Sequence, residues 1–97
     1  MARAIKIDPD KRTIKYIEIK DGDDLRRVIG GWLTLVRMPK RNEVLYCDEE
    51  GLMKCRTPFI IGRCRLVGVG VVICSGEKLT DAKSTLDEVK AMVSFAA

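Results

Sequence analysis

Residues 66–75 read LVGVGVVICS, and this stretch decides the fold. Val67, Val69, Val71 and Ile73 fall on one face of an extended chain, and Gly68 and Gly70 on the other. The period of two and the β-branched side chains predict a strand, buried and central in a sheet. Glycine weakens a strand, so two in alternation imply that something approaches the backbone closely. A packed helix is the expected neighbour.

Downstream, residues 76–83 are a polar connection. Ser84-Thr85-Leu86-Asp87 has the form of a helix start, with Ser84 expected at the cap and an acidic group in the first turn to meet the dipole. Leu86, Val89, Met92 and Val93 make one apolar stripe, and Phe95 is expected to anchor its end. Upstream, Phe59-Ile60-Ile61 is apolar but short and is expected to pack a loop onto the core, after Pro58 ends a short strand at 52–55. Asp48-Glu49-Glu50-Gly51 reads as a hairpin turn following a strand at 43–47. Residues 32–38, apolar and β-branched, predict another strand that turns at 39–42.

Further upstream, Leu25, Val28 and Ile29 are spaced as one face of a helix. Asp23 or Asp24 is the expected cap, and Gly30-Gly31 supplies the positive φ that ends it. Ile5 and Ile7 predict a first strand, Asp8-Pro9-Asp10-Lys11 a turn, and residues 13–19 the returning strand. The predicted order is β-β-α-β-β-(β)-β-α. Short connections favour a small, mainly antiparallel sheet of five to six strands, with two helices on one face, hence an α+β fold. At 97 residues the expectation is a single domain spanning 1–97.

Composition narrows the function classes. The chain has no histidine, so Ser-His and Cys-His catalysis and His-ligated metals are excluded. No apolar run approaches a membrane span, and the N-terminus lacks the apolar stretch of a secretory signal, so a cytoplasmic, membrane-free protein is expected. Cys47, Cys55, Cys64 and Cys74 are spaced C-x7-C-x8-C-x9-C, without the close pairs of a structural zinc site. Cys47 and Cys74 read as small core residues. Cys55 and Cys64 neighbour arginines, which favour a reactive thiolate, although ordinary reduced thiols are the simpler reading. No catalytic residue, metal or cofactor is assigned, and the chain is expected not to be an enzyme.

The formal charge is +4, and its distribution matters more than its size. Between Gly51 and Gly76 there is no acidic residue, whereas Lys54, Arg56, Arg63 and Arg65 lie there. A second group is Arg37, Lys40 and Arg41. The candidate binding residues are therefore Arg56, Arg63, Arg65, Arg37, Lys40 and Arg41, with Phe59 as an exposed aromatic anchor beside them. The bland reading is scattered, solvated charge. Trp32 and Tyr46 offer a stacking platform for nucleic acid or, more simply, fill the core.

Several stretches taken in order carry a resemblance. They are Ala4-Ile5-Lys6-Ile7-Asp8-Pro9, Ile17-Glu18-Ile19, Val28-Ile29-Gly30-Gly31-Trp32-Leu33, the run from Val44 to Lys54 with its Tyr46-Cys47-Asp48-Glu49-Glu50-Gly51, Pro58, and the glycine-valine strand. Over residues 4–75 the chain resembles the small family catalogued as domain of unknown function number 3846. It departs from that pattern after Pro58, where Phe59 replaces the common asparagine and Arg63-Cys64-Arg65 follows quickly. The family has no established catalytic residues. The resemblance implies an accessory protein of a phage or mobile element that binds and inhibits a host protein, a CRISPR-type defence nuclease complex being one such target. The alternative is a nucleic-acid- or nucleotide-binding protein using the basic face, including one that sequesters a nucleotide signal. A homodimer is compatible with either.

Overall fold

The computed structural model describes residues 1–51, 54 and 56–95. Strands β1 (Ala2–Asp8) and β2 (Thr13–Ile19) form the expected hairpin, with Ile5 opposite Tyr16. Its turn is held by the Asp8 carboxylate, which accepts the N–H groups of Asp10 (3.1 Å) and Lys11 (3.3 Å). Helix α1 (Gly22–Ile29) follows, then β3 (Leu33–Arg37), β4 (Glu43–Asp48), β5 (Pro58–Ile61), β6 (Cys64–Val67), β7 (Gly70–Ser75) and the short β8 (Leu79–Thr80). Helix α2 (Leu86–Met92) leads into the two-residue β9 (Val93–Ser94). The fold is α+β. A six-stranded antiparallel sheet runs β2-β1-β7-β4-β3, with β8 added on β7, and a three-stranded sheet runs β6-β5-β9.

The strand at the heart of the sequence divides in two. Gly68, with φ +91°, bends the chain out of β6 in the small sheet and into β7 in the large one. No helix explains its glycines. A Cβ at Gly70 would lie 2.9 Å from the Phe59 ring, and one at Gly68 would lie 2.8 Å from Arg56 Cδ. The close neighbours are therefore one core aromatic and one arginine stem. Phe59 to Ile61 is strand β5 rather than a loop. Of the expected strand at 52–55, Lys54 lies in a turn, and the remainder falls outside the described residues.

The two helices cover opposite faces of the large sheet rather than one. Ile5 and Ile7 of β1, Leu45 and Cys47 of β4 and Val72 of β7 pack with Phe59, Ile61 and the Val89 of α2. Ala2 and Ala4 of β1 and Val71 and Ile73 of β7 pack with Leu25 and Ile29 of α1. The central strands are apolar on both sides, so each face needs its own cover.

The helix caps also shift by a residue or two. Asp21, with extended φ and ψ, caps α1 by accepting the Asp24 N–H at 2.9 Å, while Asp23 and Asp24 occupy the first turn and face the dipole. Gly30 ends α1 with φ +81°, as expected. Thr85, not Ser84, caps α2, in a reciprocal pair with Glu88. Ser84 is turned inward instead. Its Oγ donates to the buried Glu43 carboxylate at 2.6 Å, which also accepts the N–H groups of Lys83 and Ser84.

Candidate binding surface

The basic residues singled out by the sequence separate into four roles. Arg56 is a structural cation. Its Nε lies 3.2 Å from the Asp48 carboxylate, and its guanidinium donates to the carbonyls of Ile29 (3.2 Å) and Gly30 (3.1 Å) at the end of α1. It thereby satisfies carbonyls that the helix leaves unpaired. Lys54 completes the cluster at 3.0 Å from Asp48. The Asp48 side chain is fully buried, and its other oxygen accepts the Glu50 N–H at 2.9 Å. Burial pushes its carboxyl up, but the Glu50 N–H and the Lys54 and Arg56 cations outweigh that and hold it below the ordinary carboxylate range. Gly31 is the only fit beside this carboxylate, because a Cβ there would lie 2.6 Å from an Asp48 oxygen. The acidic turn is thus divergent, with Asp48 inside and Glu49 exposed.

Phe59 is a core residue with no exposed surface, which corrects its reading as an exposed anchor. The pairing of β5 with both β6 and β9 turns its ring onto Gly70 and Leu45 of the large sheet. Lys40 is neutralised: its Nζ lies 2.9 Å from Glu88. Lys40 and the Thr85 N–H hold the Glu88 carboxyl below its ordinary range. Arg41 and Arg65 are exposed at the β3–β4 turn and on β6. The Arg41 carbonyl accepts the Lys83 ammonium at 2.8 Å.

Arg37 and Arg63 do come together. They belong to the two separate basic segments, and both line a groove of about 190 Å³ between the end of β3, the β5–β6 turn and Met92. Its walls are Val36, Met38, Pro39 and Ile61, with the exposed Cys64 beside Arg63 and no carboxylate among the lining residues. Neither guanidinium is paired with a carboxylate among the described residues. The groove adjoins a second cleft, about 300 Å³, through Pro39 and Met92, and Lys40 and Glu88 line that one.

For the aromatic part of this surface the sequence favoured the core and kept a Trp32–Tyr46 stacking platform as the alternative. Trp32, just before β3, is 62% exposed rather than in the core, although its carbonyl continues the ladder by accepting the Glu49 N–H at 2.9 Å. It lines a cleft of about 450 Å³ with Gly31, Asp23, Arg26, Arg27, Glu50 and Lys54. Arg26 lies over its ring at 5.5 Å, a cation–π contact. Leu35, on β3 itself, is 47% exposed. Tyr46 is half-buried and donates its hydroxyl to Ser75 Oγ at 2.9 Å. An apolar residue beside a double glycine was the one signal in the sequence that could have suggested the exposure of Trp32.

Cys47 and Cys74 are buried and free, as read from the sequence, and burial with the neighbouring Asp48 charge pushes the Cys47 thiol up. Cys55 lies outside the described residues. No helix among the described residues is long and apolar enough to cross a membrane.

No curated protein and no solved structure matches the chain. The family model does, and it extends beyond the resemblant stretches to take in α2 and β9. Spanning residues 1–94, that match places the chain in the family described as domain of unknown function DUF3846.

Proposed function

We propose that this chain is a non-enzymatic accessory protein of a phage or mobile element that docks on a host protein and blocks it, with a CRISPR-type defence nuclease complex as the target class. The observation that supports the docking is the convergence of Arg37 and Arg63, both without a carboxylate partner among the described residues, on one groove walled by Val36 and Met92. Arginine and aromatic side chains dominate the energy at protein interfaces, and a guanidinium gains most when its partner is a carboxylate on the other molecule. The mobile-element setting and the target class rest on the family resemblance.

The test is capture of the tagged chain's partner from a nuclease-treated host lysate, followed by an activity assay of that partner in purified form. Wild type should suppress the activity near stoichiometry. Replacing Arg37 and Arg63 together by alanine should raise the concentration needed at least about tenfold, the loss expected for hot-spot residues. Suppression unchanged in the double variant would refute the assigned surface. Binding that appears only when nucleic acid is left in the lysate, and that falls steeply with salt, would favour nucleic-acid binding instead.

A further inference from the structure

Resting on that docking reading, we infer that the partner engages by strand addition. An extended acidic segment lies antiparallel along the free edge of β3, with an apolar side chain against Trp32 and an acidic one between Arg37 and Arg63.

Strand β3 ends the large sheet, and its ladder to β4 fixes which backbone groups are free. The Met38 N–H donates to the Glu43 carbonyl and the Glu49 N–H to the Trp32 carbonyl. Inward and outward groups alternate along an antiparallel strand. The N–H and C=O groups of Leu33, Leu35 and Arg37 therefore point away from β4, and no described backbone group pairs with them.

The opposite edge is guarded. β2 carries Lys15 and Glu18, and its Tyr16 hydroxyl accepts the Leu86 N–H of α2 at 3.0 Å. β3 reads Leu-Thr-Leu-Val before its single charge, Arg37, and carries neither a proline nor a bulge to discourage edge pairing. Its two ends carry different chemistry. Trp32 and its cleft stand at one end, and the carboxylate-free pair of arginines at the other. From Trp32 to Arg37 is five residues, or about 17 Å of strand, so a six-residue segment reaches both. Charge selects the occupant. A second copy of this chain would offer Leu33–Arg37, with a cation and no acid, whereas an acidic segment brings a carboxylate to the two arginines.

The probe is a hexapeptide blocked at both ends, with glutamate first, phenylalanine last and alternating valine and threonine between. Trp32, the chain's one tryptophan, reports binding by fluorescence, and amide hydrogen exchange reports the edge. Saturable binding should slow exchange at the Leu33, Leu35 and Arg37 amides. N-methylation of the third peptide residue, which faces β3, should weaken binding at least about tenfold, and methylation of the fourth should not. Lysine in place of the glutamate should weaken it similarly. In the protein, Leu35→Pro removes one outward donor without touching the ladder to β4, and Leu35→Ala keeps that donor.

Equal effects of the two methylations, or no slowed amide, or no binding at millimolar peptide, would overturn strand addition. A dimer that Leu35→Pro converts to monomer would also overturn it, by giving the edge to a second copy. The captured host partner separates this inference from the reading beneath it. A partner lost on replacing Arg37 and Arg63, but retained by Leu35→Pro and not displaced by the peptide, leaves docking standing and removes strand addition. A partner that survives every substitution removes both.

Discussion

Replacing Asp48 by asparagine tests the cluster that ties α1, β4 and Arg56 together. Asparagine has nearly the same shape and keeps an oxygen for the Glu50 N–H, so the backbone turn and the close fit to Gly31 are preserved. What is lost is the charge that Lys54 meets at 3.0 Å and Arg56 at 3.2 Å. Breaking a fully buried pair typically costs about 3–5 kcal/mol. Here the carboxylate is buried, but the Arg56 and Lys54 side chains keep 29% and 39% of their exposure and recover water. That discount brings the expected loss to about 2–3 kcal/mol at neutral pH. For a domain of this size the melting temperature should fall by about 10–20 °C. The loss should also depend on pH in a definite direction. The Asp48 pKa is lowered by folding, so its contribution is complete above the ordinary carboxylate value of 3.8 and disappears as the pH falls through the lower folded value. Urea unfolding of both proteins from pH 7 to pH 2 should therefore give a constant difference down to about pH 5 that shrinks steadily below pH 4. A difference under about 0.5 kcal/mol at pH 7, the size of a surface substitution, would refute the reasoning, as would a difference that grows in acid.

Gly70→Ala should cost about 1–3 kcal/mol by overpacking against the Phe59 ring, and Phe59→Leu should restore part of that loss in the double variant, read by urea titration. Thr85→Ala should destabilise by about 1 kcal/mol through loss of the α2 capping pair, as measured by thermal melting. Trp32→Ala should leave stability within about 0.5 kcal/mol, because the ring is mostly exposed, while it weakens capture of the host partner. Native-state thiol labelling with peptide mapping should modify Cys64 rapidly and Cys47 and Cys74 only on unfolding, because only the first of these three is exposed.

Much of the fold was legible because it rests on local signals. Asp8 and Pro9 write the first turn, Gly30 writes the end of α1, and the alternation in Val69 to Ile73 writes a central strand, each through chemistry confined to a few neighbouring residues. The misplaced features depend on contacts across the chain. Ser84 and Thr85 are equally good caps on paper, and the choice is made by Glu43, forty-one residues away, which takes the Ser84 hydroxyl into the interior. Phe59 follows a proline in a short apolar run. Whether it is an anchor or core depends on β5 pairing with β6 and β9, a register no local pattern specifies.

The same division runs through the binding surface. The amino-acid sequence by itself determined the type and place of most of the larger elements, the lack of histidine chemistry, the buried Cys47 and Cys74, and the existence of two basic segments. Periodicity, turn residues and composition are properties of contiguous residues, which is why they could be read directly. Only the tertiary structure decided which cations are available. It buried Asp48 under Arg56, set Glu88 against Lys40, and left Arg37 and Arg63 on one groove without a carboxylate partner among the described residues. It also placed Trp32 and Leu35 at a free sheet edge. Charge pairing and edge exposure depend on which distant segments fold against one another, and that is settled by packing the two faces of the sheet.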